Sequence, residues 1–466
     1  MTTKEIFENE SIPKMVEMLT ERNAELPLWS DLVKEYDAKQ HKIMTDNVTR
    51  QVKLRKGGVE EPARITYAMQ KLATKRMTQM TFTIPVERVY KVENDLQQAQ
   101  ADAIEAVYKK ARIDAINKKR FNAYFASCEM AVIWYAHERK NEDYGFKSDY
   151  KLRCVCYSPM ETKYSNIEQA DIYPLFDEYG DLIALSIGIE RIEGKKTVRY
   201  LTTYTDDRVV TFKREKEWEV YDDVENTIGK IQGVYIVRPE PIWENATNNT
   251  QEIEYTLSRH SDIIRRNSAP VLKVVGKLVN PKDRPAADVS REVYQLESGG
   301  DIGYATSPIS SDAVDNFVRT LKDNIEEELQ LPNLSTKSIG SAGLSGESRK
   351  HLLTDAHLKV GDEAGEIIEF LDREFSVIKA LIAKLNPAWK NTIGALEVEH
   401  VLTPFSMTED MDNIEVLSRA TGGKPFMSQK TAIMRAGYVE DADRELSQIQ
   451  DEESSGMNFD IFAPTE

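Results

Sequence analysis

Few stretches of this 466-residue chain place reactive side chains at spacings that support chemistry. A phosphate-cradling Gly-x-x-x-x-Gly-Lys-Ser/Thr loop is missing. The nearest approach, Gly422-Gly423-Lys424-Pro425, lacks the preceding glycine and the hydroxyl residue, so no nucleotide hydrolysis is expected of this loop. Ser345 follows Gly343-Leu344, but Glu347 stands where a Gly-x-Ser-x-Gly elbow needs its last glycine. His351 and His357 are six apart and fall on different faces of a helix, a poor arrangement for a shared metal. His41, His137, His260 and His400 are isolated in the sequence and read as surface or internally satisfied side chains. Asp410 and Asp412 lack a histidine neighbour and read as solvated tail. Cys128, Cys154 and Cys156 are odd in number, with a Cys-x-Cys spacing on a β-rich stretch and no nearby His or Cys partner. This argues against a disulfide framework and against zinc, and for reduced thiols packed as small apolar groups in a protein made in a reducing cytoplasm. No enzyme activity, metal or cofactor is expected.

The elements that would carry a binding surface are easier to read. Helical periodicity covers 12–36, 62–78 and 96–136. From 151 the pattern changes to period two. Strands are expected at 152–157, 182–192, 197–203, 208–213 and 234–237, with a turn at Glu193-Gly194-Lys195-Lys196. An antiparallel meander without crossover helices excludes a dinucleotide-binding βαβ unit. Beyond Pro239 and Pro241 the chain turns helical at 250–266, makes a short extended excursion at 271–279 and 302–304, and enters a strong helix at 310–330. That helix repeats Val314, Phe317, Val318, Leu321, Ile325 and Leu329 at spacings of three and four. Small residues dominate 331–346, which reads as a loop. Residues 347–385 then form one helix of roughly 60 Å at about 1.5 Å per residue. Gly361 and Gly365 within it predict a kink. A strand at 396–401 and an acidic helical tail from 407, with Ser428 as an N-cap, close the chain. The fold class is α+β.

The net charge is −17, whereas proteins that grip DNA tightly are usually basic because phosphate neutralisation dominates their affinity. The exception is local: 247–285 carries seven basic residues against four acidic ones. Helix 310–330 has the opposite bias, with two basic and six acidic residues. No apolar run approaches the roughly 18–20 residues that span a bilayer, so no membrane is expected. The acidic first ten residues have no secretory signal pattern.

The order of segments over roughly the last 300 residues resembles the portal proteins of siphovirus-type tailed phages. The resemblance lies in 253–262 (IEYTLSRHSD), 267–276 (NSAPVLKVVG), 298–304 (SGGDIGY), 317–331 and 344–353 (LSGESRKHLL), then 428–431, 439–445 and 449–452 in the tail. The meander at 173–237 fits the family's β-rich outer region. Glu347, Ser348 and Arg349 depart from the apolar residue that often follows Ser-Gly, and the first 150 residues match only around 36–43 and 64–77.

The resemblance implies a ring, usually of about twelve copies, at one capsid vertex in the virion. Double-stranded DNA would pass through it during packaging and ejection. Expected partners are other copies of the chain, the terminase large subunit, the major capsid protein, the scaffold and a head-completion or adaptor protein. The open alternative is another oligomeric virion scaffold or binding protein without a channel. The implied map is a wing (1–245), stem helices (246–268 and 309–331) around a clip (269–308), a tunnel loop (332–346), a long tunnel helix (347–385), a return to the wing (386–425) and a crown (426–466). Ser335, Thr336, Lys337 and Ser338 would face DNA, with Lys337 the loop's only charge. Asp312, Asp315, Asp323, Glu326 and Glu327, with Glu328, are candidates to line an acidic lumen along which DNA slides rather than sticks. Arg265, Arg266, Lys273, Lys277, Lys282 and Arg284 are candidates for docking a partner by charge.

Overall fold

The computed structural model describes residues 3–8, 11–50, 52–53, 59–161, 166–267, 271–276, 299–305, 311–333, 353–406, 417–421, 427–437, 439 and 442–457. It is a mixed α+β chain in two units: residues 1–331 with 359–404, and residues 332–358 with 405–466.

The first unit opens with α1 (Thr3–Phe7), α2 (Ile12–Leu19), α3 (Trp29–Tyr36) and α4 (Lys42–Thr45). The single helix expected over 12–36 is therefore two. The Thr20 hydroxyl donates to the Val16 carbonyl, the Asn23 side chain turns the chain at Glu25, and Pro27 offers no N–H to continue a helix. A two-stranded ribbon, β1 (Val52–Lys53) with β2 (Val59–Glu60), follows. The helix expected at 62–78 begins later, as α5 (Met69–Phe82). β3 (Glu87–Lys91) leads to α6 (Asp95–Ala111) and α7 (Ile113–Ser127). Asn94 caps α6 by accepting from the Gln97 N–H at 3.0 Å. The continuous helix expected over 96–136 breaks at Arg112 (φ 58°) and ends at Cys128 (φ 67°), two non-glycine residues in the left-handed region. Beyond Cys128 the chain is a strand.

That strand, β4 (Glu129–Asn141), joins β5 (Ser148–Ser158), β6 (Ile167–Gln169) and β12 (Gly233–Val237) in a sheet of order β12-β4-β5-β6. The second sheet is an antiparallel meander of β7 (Asp171–Phe176), β8 (Leu182–Glu193), β9 (Lys196–Tyr204), β10 (Arg208–Arg214) and β11 (Trp218–Glu225), neighbours throughout. It holds the strands expected at 182–192, 197–203 and 208–213, whereas those expected at 152–157 and 234–237 belong to the first sheet as β5 and β12. Gly194, at φ 66°, makes the turn between β8 and β9. The sheets share a core of Ala131, Ile133, Ile172, Leu185, Ile187 and Tyr235. Leu201, Val210 and Phe212 pack with Ile6, Val16 and Leu19 in a further cluster.

From β12 the chain enters α8 (Thr247–Asn267), the hairpin β13 (Val271–Val275) with β14 (Asp301–Ala305), and α9 (Ser311–Leu329). α10 (Thr354–Leu385) is helical throughout, including Gly361 and Gly365. β15 (Glu397–Val401) pairs antiparallel with β3. In the second unit, α11 (Gln429–Ala436) is capped by the Ser428 hydroxyl, which accepts from the Thr431 N–H at 3.2 Å. It contacts α12 (Ala442–Met457) through Lys430 and Asp443 at 2.6 Å. Among the described residues no helix is long and apolar enough to cross a membrane.

Candidate functional site

Helices α8 and α9 form an antiparallel pair joined by the β13/β14 hairpin. The start of α8 lies beside the end of α9, where the Asn249 amide donates to Glu328 at 3.1 Å. The apolar stripe read from the sequence becomes the contact face. Ile253 on α8 and Val318, Leu321, Ile325 and Leu329 on α9 are buried. Toward the hairpin end the cover runs out: Ile263, Ile264 and Phe317 are 43%, 48% and 45% exposed.

The same helix pair is fixed to the rest of its unit by a polar seam. Glu254, Ser258 and Asp262 follow one another at intervals of four along α8, so they share a face with a rise of about 6 Å between them. An extended stretch, 63–67, runs alongside, and alternate N–H groups of an extended chain are spaced by about 6.6 Å. The two repeats nearly match. Tyr67 N–H donates to Glu254 at 2.7 Å, Ile65 N–H to the Ser258 hydroxyl at 2.9 Å and Ala63 N–H to Asp262 at 2.7 Å. This is why 63–67 is not helical: its amides are engaged by α8. Arg50 bonds the other Asp262 oxygen at 2.7 Å, and His41 Nδ1 lies 2.6 Å from Glu254 with both side chains buried. At the other end of the seam Arg76 donates to the Leu331 carbonyl at 3.1 Å and faces Glu326 at 4.0 Å. Burial pushes the Glu326 carboxyl up and the Arg76 guanidinium down.

The acidic residues of α9 separate accordingly. At about 100° per residue, Asp312, Asp315, Asp323, Glu326 and Glu327 fall within an arc of roughly 120°, opposite the buried stripe. Asp312, Asp315, Asp323 and Glu327 are exposed, whereas Glu326 is partly covered beside Arg76. Glu328 falls outside that arc and turns toward α8. Of the basic candidates, Arg265 is exposed on α8, Arg266 is in the same helix and Lys273 lies in β13 opposite Gly303. Lys277, Lys282 and Arg284 lie outside the described residues, as do Ser335, Thr336, Lys337 and Ser338.

Apart from Glu326, the seam residues were not predicted as site residues. Arg50, Arg76 and Glu254 stand in no local motif, and the two partners of each long bond lie about 200 residues or more apart. His41 and His400 are not isolated in space: each faces a carboxylate, Glu254 at 2.6 Å and Asp372 at 2.7 Å. His357 Nε2 lies 2.9 Å from the Phe405 carbonyl. Among the described residues no group of three or more His, Cys, Asp or Glu side chains is placed to hold a metal.

A family model described as "Phage portal protein, SPP1 Gp6-like" matches residues 17–458. Among solved structures, the chain is similar to one titled "Neck of empty GTA particle computed with C6 symmetry", with 10% identity and a TM-score of 0.43, over 78% of this chain and 89% of that one. Comparison with curated proteins finds no match. The family match takes in the meander, the helix pair with its hairpin, the long helix and the capped tail. The chain thus belongs to the SPP1 Gp6-like family of phage portal proteins, virion components of the head-to-tail connector that are structural rather than enzymatic.

Proposed function

We propose that this portal protein assembles into a closed ring of about twelve copies at a single capsid vertex, and that double-stranded DNA passes through its centre during packaging and ejection. The observation that carries this reading is the α8/α9 pair. One face of α8 is stitched into the subunit by partly buried hydrogen bonds as far as Asp262, while next to it, toward the hairpin, Ile263, Ile264 and Phe317 are left uncovered. Neighbouring copies are the natural cover for such a face, because heterologous contacts repeated around an axis close a ring.

In this reading α8 and α9 are the stem and the β13/β14 hairpin belongs to the clip. Residues 332–346 are the tunnel loop, and α10 is the tunnel helix, able to bend at Gly361 and Gly365. Both sheets with α1–α7 form the wing, and α11 and α12 form the crown. The exposed acidic arc of α9 faces the lumen, where it keeps phosphates from binding tightly. Arg265 and the basic residues around the clip dock the terminase large subunit or a head-completion protein by charge. The major capsid protein and scaffold contact the ring from outside.

Electron microscopy of the purified protein tests the ring. Rings with an open centre are expected. A chain that stays monomeric at raised concentration and with scaffold present would remove the reading. Single cysteines at Ser335 or Ser338 should cross-link to DNA trapped in packaging; labelling confined to the outer surface would remove the tunnel-loop assignment.

A further inference from the structure

A second basic surface is built without any residue of the α8/α9 pair. The loop between β11 and β12, the last turns of α10 and the turns that follow enclose an open groove of about 600 Å³. Its lining includes Lys230, Lys379, Lys384 and Lys390 and no carboxylate, in a chain of net charge −17. Lys230, Lys384 and Lys390 are exposed, and among the described residues none of the four pairs with a carboxylate within 4 Å. Lys379 is committed elsewhere: its ammonium donates to the Leu396 and Gly394 carbonyls at 2.9 and 3.3 Å. Lys230 donates to the Ser376 hydroxyl. The floor is apolar, with Ala380 and Ala383 of α10 on it, so lysine stems can lie along it while their heads stay at the rim.

The ammonium groups of Lys230, Lys384 and Lys390 line one groove with no carboxylate among its lining residues. Burial, and then the charge of Lys230, lower the affinity of Lys379 for its proton, and Glu397 only partly opposes this. Burial acts on Lys230 in the same direction. The groove is therefore a site of unmet positive charge. It offers no arginine fork for planar recognition of carboxylates, only mobile point charges, which suit sequence-independent contact with phosphates.

We propose that this groove binds the phosphate backbone of double-stranded DNA, through residues other than those of α9 and 332–346 assigned above to the channel. DNA is taken as the polyanion because of the portal reading, but the contact is measured on the protein without packaging, so its failure would leave the channel role untouched.

The test is fluorescence anisotropy of a labelled 20-base-pair duplex with the purified full chain, from about 50 to 200 mM salt. Three proteins are compared: unaltered, K230Q/K384Q/K390Q, and a charge-matched control, K147Q/K195Q/K216Q, altered at exposed lysines elsewhere. Lys379 is left alone because it holds two carbonyls. The unaltered chain should bind, with the logarithm of its affinity falling with that of salt by roughly 0.9 per phosphate engaged. The groove variant should bind at least about ten-fold more weakly at low salt and lose about three from that slope, while the control keeps both. Equal losses in both variants, no binding by the unaltered chain, or a poly-glutamate peptide of equal charge binding the groove more tightly than DNA would each overturn the proposal.

Discussion

Arg120 and Glu374 meet through two parallel hydrogen bonds of 2.7 Å at a point where neither side chain reaches solvent. The Trp134 indole N–H donates to the same carboxylate at 2.8 Å, and the guanidinium lies over the Phe370 and Phe121 rings. This pair joins α7 to α10 at the centre of the first unit. Removing one partner strands a buried charge, so Glu374→Ala or Arg120→Ala should cost about 3–5 kcal/mol in urea unfolding, whereas replacing both with apolar residues of similar volume should cost far less. Equal losses for the single and double variants would show that packing, not the charge, is what matters there.

The seam on α8 makes a narrower prediction. Ser258→Ala leaves the Ile65 N–H without its partner while removing almost no volume. The expected loss is about 1–3 kcal/mol, with faster amide hydrogen exchange at Ile65. Unchanged exchange at Ile65 would mean that another acceptor takes over.

Gly233 on β12 lies between side chains of both sheets, Ile133 of β4 and Leu185 of β8. A Cβ there would come within 2.5 Å of Ile133 Cδ1 and 2.6 Å of Leu185 Cδ2. Gly233→Ala should therefore destabilise by about 1–3 kcal/mol through overpacking. Gly361 and Gly365 are the contrast, since a Cβ at either meets nothing within 4 Å. Alanine at each should raise stability by up to about 1 kcal/mol. If α10 must bend in the assembled ring, the doubly substituted protein will be more stable and package less DNA.

Asp143 accepts from Lys110 at 2.8 Å and Lys151 at 2.6 Å, and these bonds, Lys110 first, hold its carboxyl at about 2. Its pKa is lower in the folded chain than in the unfolded one, where it is about 3.9. The stabilisation is thus complete above about pH 4 and disappears as pH falls toward 2. Asp143→Asn should lower the melting temperature at pH 6 and have little effect at pH 2. A deficit independent of pH would assign the effect to something other than ionisation.

Burial pushes the Cys128 thiol up to about 12, so at pH 8 almost none of it is thiolate. Iodoacetamide should leave Cys128 unmodified in the native protein and alkylate it in denaturant, as read by peptide mass. Native modification at the rate of a free thiol would mean that the end of α7 opens readily.

What the sequence determined by itself was local. Period three-four marked α8 and the buried stripe of α9, period two with Gly194 marked the β8/β9 hairpin, and a serine before a helical run marked the Ser428 cap. These are properties of neighbouring residues, and a face or a turn is specified within a few positions. The breaks at Arg112 and Cys128 were hidden because neither residue type signals a left-handed backbone. The partners of Glu374, Glu254 and Asp262 were hidden for a related reason. Each bond spans roughly 200–250 residues of chain, and nothing near either residue distinguishes it from any solvated charge. Only the closing of the helices and sheets around one core brings those groups together and removes water from between them, and that loss of water is what makes the choice of partner matter.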